Sequence, residues 1–297
     1  AVDAVRAIYR NNGYPQAEIA STRYVLDHAR KTLDAEVTVN AGEFALMGDI
    51  APQDEGWIKE SYLKRLRTWE PGEPWNQDKV EAYREALRRT GLFQSIDLDP
   101  VAEADAQGRK AVRTVLTPAP PRTVGGSINY DTSFGIGVQA FWENRNYTKR
   151  GDLLRAEASV WQDLQEVIAK YRLPFAFGRD VDFIAQAGAV HQNTDAYELE
   201  AARAAAGIEY RFSPRWSFTA QGTAEGGRAK PPDEPRRTYM MLGLPLGANY
   251  SSANSLLDAT RGRRMLFNLT PYNGFYDGNF TALRSQIDKL DVQIVKL

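Results

Sequence analysis

Residues Thr123–Val160 read TVGGSINYDTSFGIGVQAFWENRNYTKRGDLLRAEASV, and this stretch decides the fold. Up to Thr132 the even positions are mostly apolar (Val124, Gly126, Ile128, Tyr130), and the odd ones are Gly125, Ser127, Asn129 and Asp131. The next run sets Ile136, Val138, Ala140 and Trp142 mainly against Gly135, Gly137 and Gln139. A third sets Leu154, Ala156, Ala158 and Val160 against Arg155, Glu157 and Ser159. A strict two-residue period gives each strand one apolar and one polar face. Three such runs in succession, each about ten residues long and rich in aromatics at its end, predict a transmembrane β-barrel.

Composition agrees with this and excludes other classes. The chain of 297 residues is long enough for two or three domains, and its net charge of -1 offers no basic field for nucleic acid. A mean hydropathy of -0.48 does not oppose a barrel, because alternating strands hide their hydrophobicity from averages. No run of about 18 apolar residues suggests a spanning helix. With no cysteine, thiol catalysis and disulfides are excluded. Ala1 is preceded by no Met and no basic-then-apolar leader. An outer-membrane protein needs a secretion signal, so the natural N-terminus is expected upstream.

The chain divides at Thr117–Pro121. Before it, helices and strands mix. Val2–Asn12 carries Val2, Val5, Ile8 and Tyr9 at helical spacing, and Gly13-Tyr14-Pro15 ends that helix. Ile19–His28 and Ala35–Asn40 read as a hairpin and Phe44–Ile50 as a strand. A helix follows over about Glu55–Trp69, then a second over Gln77–Thr90 with Asn76 as N-cap and Val80, Tyr83, Ala86 and Leu87 on its buried side. Strands Ile96–Val101 and Ala111–Leu116 complete a β-α-α-β-β unit, and Ala1–Gly42 reads as the α-β-β end of an identical one.

After Pro121 strands are expected near 122–132, 135–145, 152–162, 166–175, 181–192, 199–212, 216–226, 238–250 and 263–273. Tyr147–Asp152, Ala176–Asp180 and Ser213–Arg215 read as tight turns and Gly226–Arg237 as a long polar loop. Short periplasmic turns and longer outer loops are the bacterial rule. Phe141, Trp142, Tyr171, Phe175, Tyr210, Phe212 and Trp216 read as interfacial girdles. Leu283, Ile287, Leu290, Ile294 and Leu297 fall at helical spacing, against the barrel pattern.

Several motifs together resemble the TamA branch of the BamA/TamA superfamily. Tyr9, Gly13-Tyr14-Pro15 and Ala17 are similar to the helix-to-strand junction of a POTRA domain. Gly42, Phe44, Gly48 and Ile50 resemble the start of the next, and Leu87, Gly91, Phe93 and Ile96 its late signature. Trp142–Asn146 followed by Gly151-Asp152 resembles the second barrel strand and first periplasmic turn, and Asp258–Gly262 the D-x-T-R-G turn. The resemblance implies an α+β POTRA region followed by an antiparallel transmembrane β-barrel. Residues 1–42 would be the end of one POTRA domain, 43–117 a complete one, 118–121 a linker and 122–297 the N-terminal part of the barrel. This part would hold about nine or ten strands of sixteen. The family's V-R-G-[FY] loop motif and closing strand do not occur in this stretch, so the piece is expected to belong to a longer protein.

The same resemblance implies a bacterial outer-membrane factor with its POTRA domains in the periplasm. It would assemble or insert β-barrel proteins or autotransporters. Its partners would be the lipid bilayer, unfolded outer-membrane clients and a periplasm-spanning protein similar to TamB, with no nucleic acid. POTRA strands would receive extended clients by β-augmentation. The lateral gate would be the first barrel strand: Val124, Gly125, Gly126, Ser127, Ile128, Asn129, Tyr130 and Asp131. The alternative is a two-partner secretion pore that passes an exoprotein through the lumen; a passive porin or adhesin is a third reading, which POTRA-like repeats oppose.

No cofactor, metal or catalytic role emerges, and the chain reads as non-enzymatic. His28 and His191 are the two histidines, without metal-ligand spacing. Ser61–Lys64 fits S-x-x-K on a surface helix, where the spacing arises by chance. Gly135-Ile-Gly137 lies in a strand and not in a phosphate loop. The strand charges Arg155, Glu157, Glu166, Lys170, Arg172, Asp182, Glu209 and Arg211 could line a conduit, but read more simply as solvated lumenal residues.

Overall fold

A computed structural model describes residues 2–27, 32–53, 56–132, 135–232, 235–253, 261–276 and 279–286. The chain forms two units, Ala1–Pro120 and Pro121–Leu297.

The first unit opens with α1 (Val2–Asn11) and the antiparallel hairpin β1 (Glu18–Asp27) and β2 (Thr32–Asn40). The Gly13-Tyr14-Pro15 motif is the joint between this part and the next. Gly13 has φ 99°, and a Cβ there would lie 2.1 Å from the Phe44 ring. Only glycine permits both the backbone and that approach. Tyr14 then stands edge-on between Tyr9 and Phe44, at 5.9 and 5.6 Å. The Gly13 amide donates to the Trp75 carbonyl and its carbonyl accepts from Ala45, so the motif is stitched to the second part from both sides.

That second part has the expected β-α-α-β-β order: β3 (Leu46–Pro52), α2 (Glu60–Leu66), α3 (Gln77–Arg89), β4 (Phe93–Pro100) and β5 (Arg109–Pro118). β5 is central, parallel to β3 and antiparallel to β4. Met47, Leu63, Trp69, Trp75, Val80, Tyr83, Leu87, Val112 and Leu116 form a core excluded from water. Burial of such side chains is the main stabilising term for a domain of this size. Residues 43–53 and 68–75 explain why α2 is shorter than Glu55–Trp69. The chain turns extended at Arg67 (φ -56°, ψ 137°), and residues 72–75 run along β3. Gly72 donates to Met47, Met47 to the Glu73 carbonyl and Trp75 to the Ala45 carbonyl. Those bonds occupy the outer side of β3 where it begins.

Helix α3 starts as read. Asn76 is extended (φ -140°, ψ 111°) and its side chain accepts from the Lys79 amide at 3.1 Å. Asp78 in the first turn and Arg88 and Arg89 in the last complement the helix dipole. Asn76→Ala is expected to cost about 1 kcal/mol in urea unfolding, because an amide of the first turn loses its acceptor; an unchanged midpoint would contradict the cap. Asp49 at the middle of β3 pairs with Lys64 (2.9 Å) and Arg67 (2.7 Å). Partial burial pushes its carboxyl up, but hydrogen bonds from Lys64, the Ile50 amide and Arg67 outweigh that and hold it below the usual range. A depressed carboxylate contributes stability above the unfolded pKa of about 4 and loses it as pH falls through the folded value. Asp49→Asn should therefore weaken the unit at neutral pH and leave it equal to the parent in strong acid; a penalty unchanged between the two would sink the assignment.

The second unit is a large antiparallel sheet. Its strands are β6 (Arg122–Asp131), β7 (Gly135–Arg145), β8 (Leu153–Val160), β9 (Leu164–Leu173), β10 (Val181–Thr194), β11 (Tyr197–Arg211), β12 (Trp216–Lys230), β13 (Arg237–Gly243), β14 (Leu246–Ser251), β15 (Arg264–Tyr276) and β16 (Asn279–Gln286). From β6 to β12 every strand pairs with its sequence neighbour. β13 and β14 are collinear halves of the strand expected at 238–250. Both pair with β12 and β15, and Gly243↔Thr223 and Leu246↔Ala220 keep one register. The break falls at Leu244-Pro245 because proline brings no N–H to the ladder. The result is a partial, unclosed barrel: among the described residues β6 pairs only with β7.

Cross-strand partners share a face, so the register sorts the sheet completely. One face carries Val124, Ile128, Tyr130, Val138, Trp142, Ala156, Val160, Ala169, Phe183, Ile208, Phe218, Leu242 and Leu269. The other carries Ser127, Asn129, Gln139, Glu143, Arg155, Glu157, Lys170, Arg172, Asp182, Arg203 and Arg211. Val124, Ile128 and Tyr130 are 76%, 79% and 74% exposed, an apolar surface with no protein over it.

Leu283, whose helical spacing the sequence left unexplained, lies in β16, which completes the ladder on β15; residues 287–297, and with them the rest of that spacing, lie outside the described residues. Two expectations need correcting. Gly226–Arg237 is not all loop. β12 runs on to Lys230, and Gly227 serves close strand approach: a Cβ there would lie 2.4 Å from the Glu200 carbonyl oxygen. The connections also do not follow the length rule. Those at the far end of the strands from Arg122 span 132–134, 161–163, 195–196 and 231–236, whereas those at the near end span 146–152, 174–180, 212–215 and 252–263. The hairpins at the far end are the shorter set.

Candidate functional site: the first strand of the large sheet

The predicted gate residues Val124–Asp131 all fall in β6, and no residue of that strand is buried. Its register to β7 runs unbroken from Arg122↔Asn144 to Asp131↔Gly135. Two different attachments hold it on the polar face. In the half nearer Arg122, the Phe141 ring lies over Gly125, where a Cβ would meet it at 2.5 Å. Arg155 stacks on the other side of that ring at 4.1 Å, a cation–π contact. In the farther half polar side chains meet on this face: Asn129 donates to Gln139 Oε1 across the pair (3.3 Å) and to Ser127 Oγ within β6 (3.0 Å). Exposed hydrogen bonds of that kind compete with water and add little. On the polar face β6 is therefore pinned by an aromatic contact near its start and by exposed hydrogen bonds beyond Gly126, and Gly125 and Gly126 themselves bury no side chain.

Phe141 is thus not a girdle residue. It has the parity of Gln139 and Glu143 and sits on the charged face. Phe175, in the turn after β9, is also not at the lipid side; it has φ 55° and its ring faces the Arg211 guanidinium at 5.8 Å. Trp142, Tyr171, Tyr210 and Trp216 do lie on the apolar face at its near end, with Phe212 edge-on to Tyr210 and Trp216 stacked on Phe218 at 5.8 Å.

The motif Trp142–Asn146 with Gly151-Asp152 builds the β7–β8 turn. Asn146 has φ 77°, and its side chain accepts from the Gly151 amide at 3.0 Å. The Asp152 carboxylate, fully buried, accepts from the Thr148 amide with both oxygens, at 2.8 and 3.1 Å. The next near-end turn repeats the device without a motif to announce it. Asp182 accepts from the Phe175 amide at 3.2 Å and binds Arg211 through both oxygens, at 2.7 and 2.9 Å. Arg172 adds contacts at 3.0 and 2.9 Å and continues to Glu209. Of the D-x-T-R-G turn, Asp258–Thr260 lie outside the described residues.

The charges read as a possible conduit are paired within and across strands. Glu143 binds Arg145 (2.9 Å) and Arg155 (3.2 Å), Arg155 binds Glu157 (2.5 Å), and Glu157 binds Lys170 (3.3 Å). Glu166 binds Arg203 at 2.5 Å. Opposite signs alternate over the whole face, so the sheet presents no single-sign funnel. His191 stands on the apolar face near Glu200, 3.8 Å away, and His28 lies outside the described residues. Lys64 of the S-x-x-K spacing is engaged by Glu60 and Asp49. Among the described residues no three His, Cys, Asp or Glu side chains converge as metal ligands, and no helix is long and apolar enough to cross a membrane.

No protein-family profile matches the chain. Solved structures do. BamA from Haemophilus ducreyi lacking POTRA domains 1–3 superposes with a TM-score of 0.79 at 15% identity, over 92% of this chain and 59% of that one. CdiB from Escherichia coli aligns with 92% of this chain and 52% of its own at 15% identity, with a TM-score of 0.47, too low to carry an argument. The chain spans about three-fifths of the BamA structure it matches. At that identity the likeness shows the fold: POTRA-like helix–strand domains followed by a large antiparallel sheet of a barrel.

Proposed function

We propose that the chain is part of an outer-membrane assembly or insertion factor of the BamA/TamA superfamily, with residues 1–42 and 43–117 as POTRA domains in the periplasm and 122–297 as the start of the barrel. β6 carries the reading. It has a single partner strand among the described residues, two glycines, and an exposed polar side-chain contact to that partner beyond Gly126. Such an edge templates pairing with another strand, which is what an inserting client offers. The first strand would part from the last, and the energy would come from client folding.

The periplasmic unit supports client or partner capture. The outer side of β3 begins under residues 72–75, while β4 pairs only with β5 among the described residues. β4 is then the edge where an extended client, or a periplasm-spanning partner similar to TamB, would add a strand. Alternating charge on the polar face favours a laterally opening wall over a secretion conduit. A disulfide between Ser127→Cys and a facing cysteine in the final barrel strand of the full-length protein is expected to abolish client assembly while the barrel stays folded and inserted. No native cysteine in this stretch confuses the test. If the locked barrel assembled clients at the rate of the reduced one, lumenal secretion would replace this reading.

A further inference from the structure

On the apolar face of the large sheet, charged residues gather in one place. By register, Glu198, Glu200, Arg228 and Lys230 share that face, with His191 opposite Glu200. They occupy the far ends of β10, β11 and β12. Immediately below them the same face is Ala189, Ala202 and Gly226, followed by Ala187, Ala204 and Ala224. The two carboxylates are already engaged. Arg236 binds Glu198 at 2.6 Å and approaches Glu200 at 3.7 Å, and His191 lies 3.8 Å from Glu200. Arg228 and Lys230 form no ion pair with a described residue, although each stands directly opposite one of those glutamates. Among the described residues, these two cations on the apolar face have no acidic partner within ion-pair distance.

Depth identifies what they meet. On β12 the uncharged band runs from Trp216 to Gly226, ten residue steps, which is about 34 Å along a strand. At the usual barrel tilt of about 45° this spans about 24 Å, close to the height of the lipid-facing band of an outer-membrane barrel. Trp216 marks one interface, where aromatic residues gather. Arg228 and Lys230 then fall just past the other, at the level of lipid headgroups. Anionic headgroups attract cations held at that depth, and the low dielectric alongside strengthens the contact.

We propose that Arg228 and Lys230 form a docking site for the phosphate of anionic lipid in the leaflet at the far end of the strands, with Arg236 withdrawn to neutralise Glu198 and Glu200. The site rests on the membrane-spanning reading of this sheet. It would anchor the lipid beside β10–β12, on the part of the wall away from β6.

The test uses the full-length protein with a single cysteine at Ala202, carrying a fluorophore, in phosphatidylcholine vesicles. Quenching is compared for small amounts of headgroup-nitroxide phosphatidylglycerol and phosphatidylcholine. A preference for the anionic lipid of between about fivefold and about thirtyfold is expected, the effect of one to two cations each worth about 1 kcal/mol at an anionic surface. It should vanish in Arg228→Gln/Lys230→Gln and persist in Arg122→Gln, which alters the opposite end of the face. Equal quenching by both lipids in the parent, or a preference that survives the double substitution, overturns the site. Loss of the preference on adding inorganic phosphate at matched ionic strength overturns the lipid assignment in favour of a free anion. Absence of quenching by either lipid is a different failure: it would remove the membrane reading itself.

Discussion

Replacing Asp182 with alanine is expected to destabilise the barrel of the full-length protein by about 2–3 kcal/mol, the cost of removing charge-assisted hydrogen bonds to partners that water reaches in part. The Asp182 side chain is 3% exposed and satisfies Arg211, Arg172 and the Phe175 amide together. Without it the Arg172 and Arg211 guanidinium groups lose their shared acceptor, and the β9–β10 turn loses its anchor. Chemical unfolding in vesicles would measure the loss. Asp182→Ala/Arg211→Met should recover part of it, since one uncompensated charge is removed. A single variant within about 0.5 kcal/mol of the parent, the range of surface changes, would show that the cluster is solvated.

Trp69→Ala in the first unit is expected to cost about 3–5 kcal/mol, as for other buried aromatic truncations. Trp69 is 2% exposed, stands edge-on to Tyr83 at 5.4 Å and donates its indole N–H to the Gly48 carbonyl at 2.7 Å. It fills the space between β3 and α3, and no neighbour can collapse into a hole of that size without moving a backbone segment. Trp69→Phe keeps most of the ring but strands the Gly48 carbonyl, so a smaller loss of about 1–3 kcal/mol is expected. Urea unfolding of the two variants separates the terms. Equal losses would mean that the hydrogen bond, and not the packing, dominates. Client assembly should fall with Trp69→Ala if the reading of this unit as a capture domain holds.

Alternation made the strands legible, because a two-residue period is set by the backbone and survives any context. β7 spans the residues read from the pattern, and β6 differs by one at its end. Asn76 and α3 were equally plain, since a cap and a helical stripe are local. What failed depended on partners distant in the chain. Gly227 looked like part of a loop, because nothing local tells a glycine that turns from one that lets two strands approach. α2 was read too long because residues 72–75 owe their extended form to β3. Phe141 was placed with the girdle on its type, although its odd number already put it on the face of Gln139. The turn anchor Asp152 came with a motif; Asp182 did not, and only the fold brings Arg211 to it. The first barrel strand was legible as a glycine-bearing strand, but its pin was not, since Phe141 and Arg155 meet Gly125 through pairing between three strands.

The hairpins at the far end of the sheet leave two to six residues between strands. In the proposed orientation that end faces the surroundings of the cell. A protease needs a stretch of several residues it can pull straight into its cleft, and an antibody or phage tail needs a raised surface to grip. Taut reversals such as Asp195-Ala196 offer neither. Along these strands the wall would offer little to grip from outside, shielded by the brevity of its reversals.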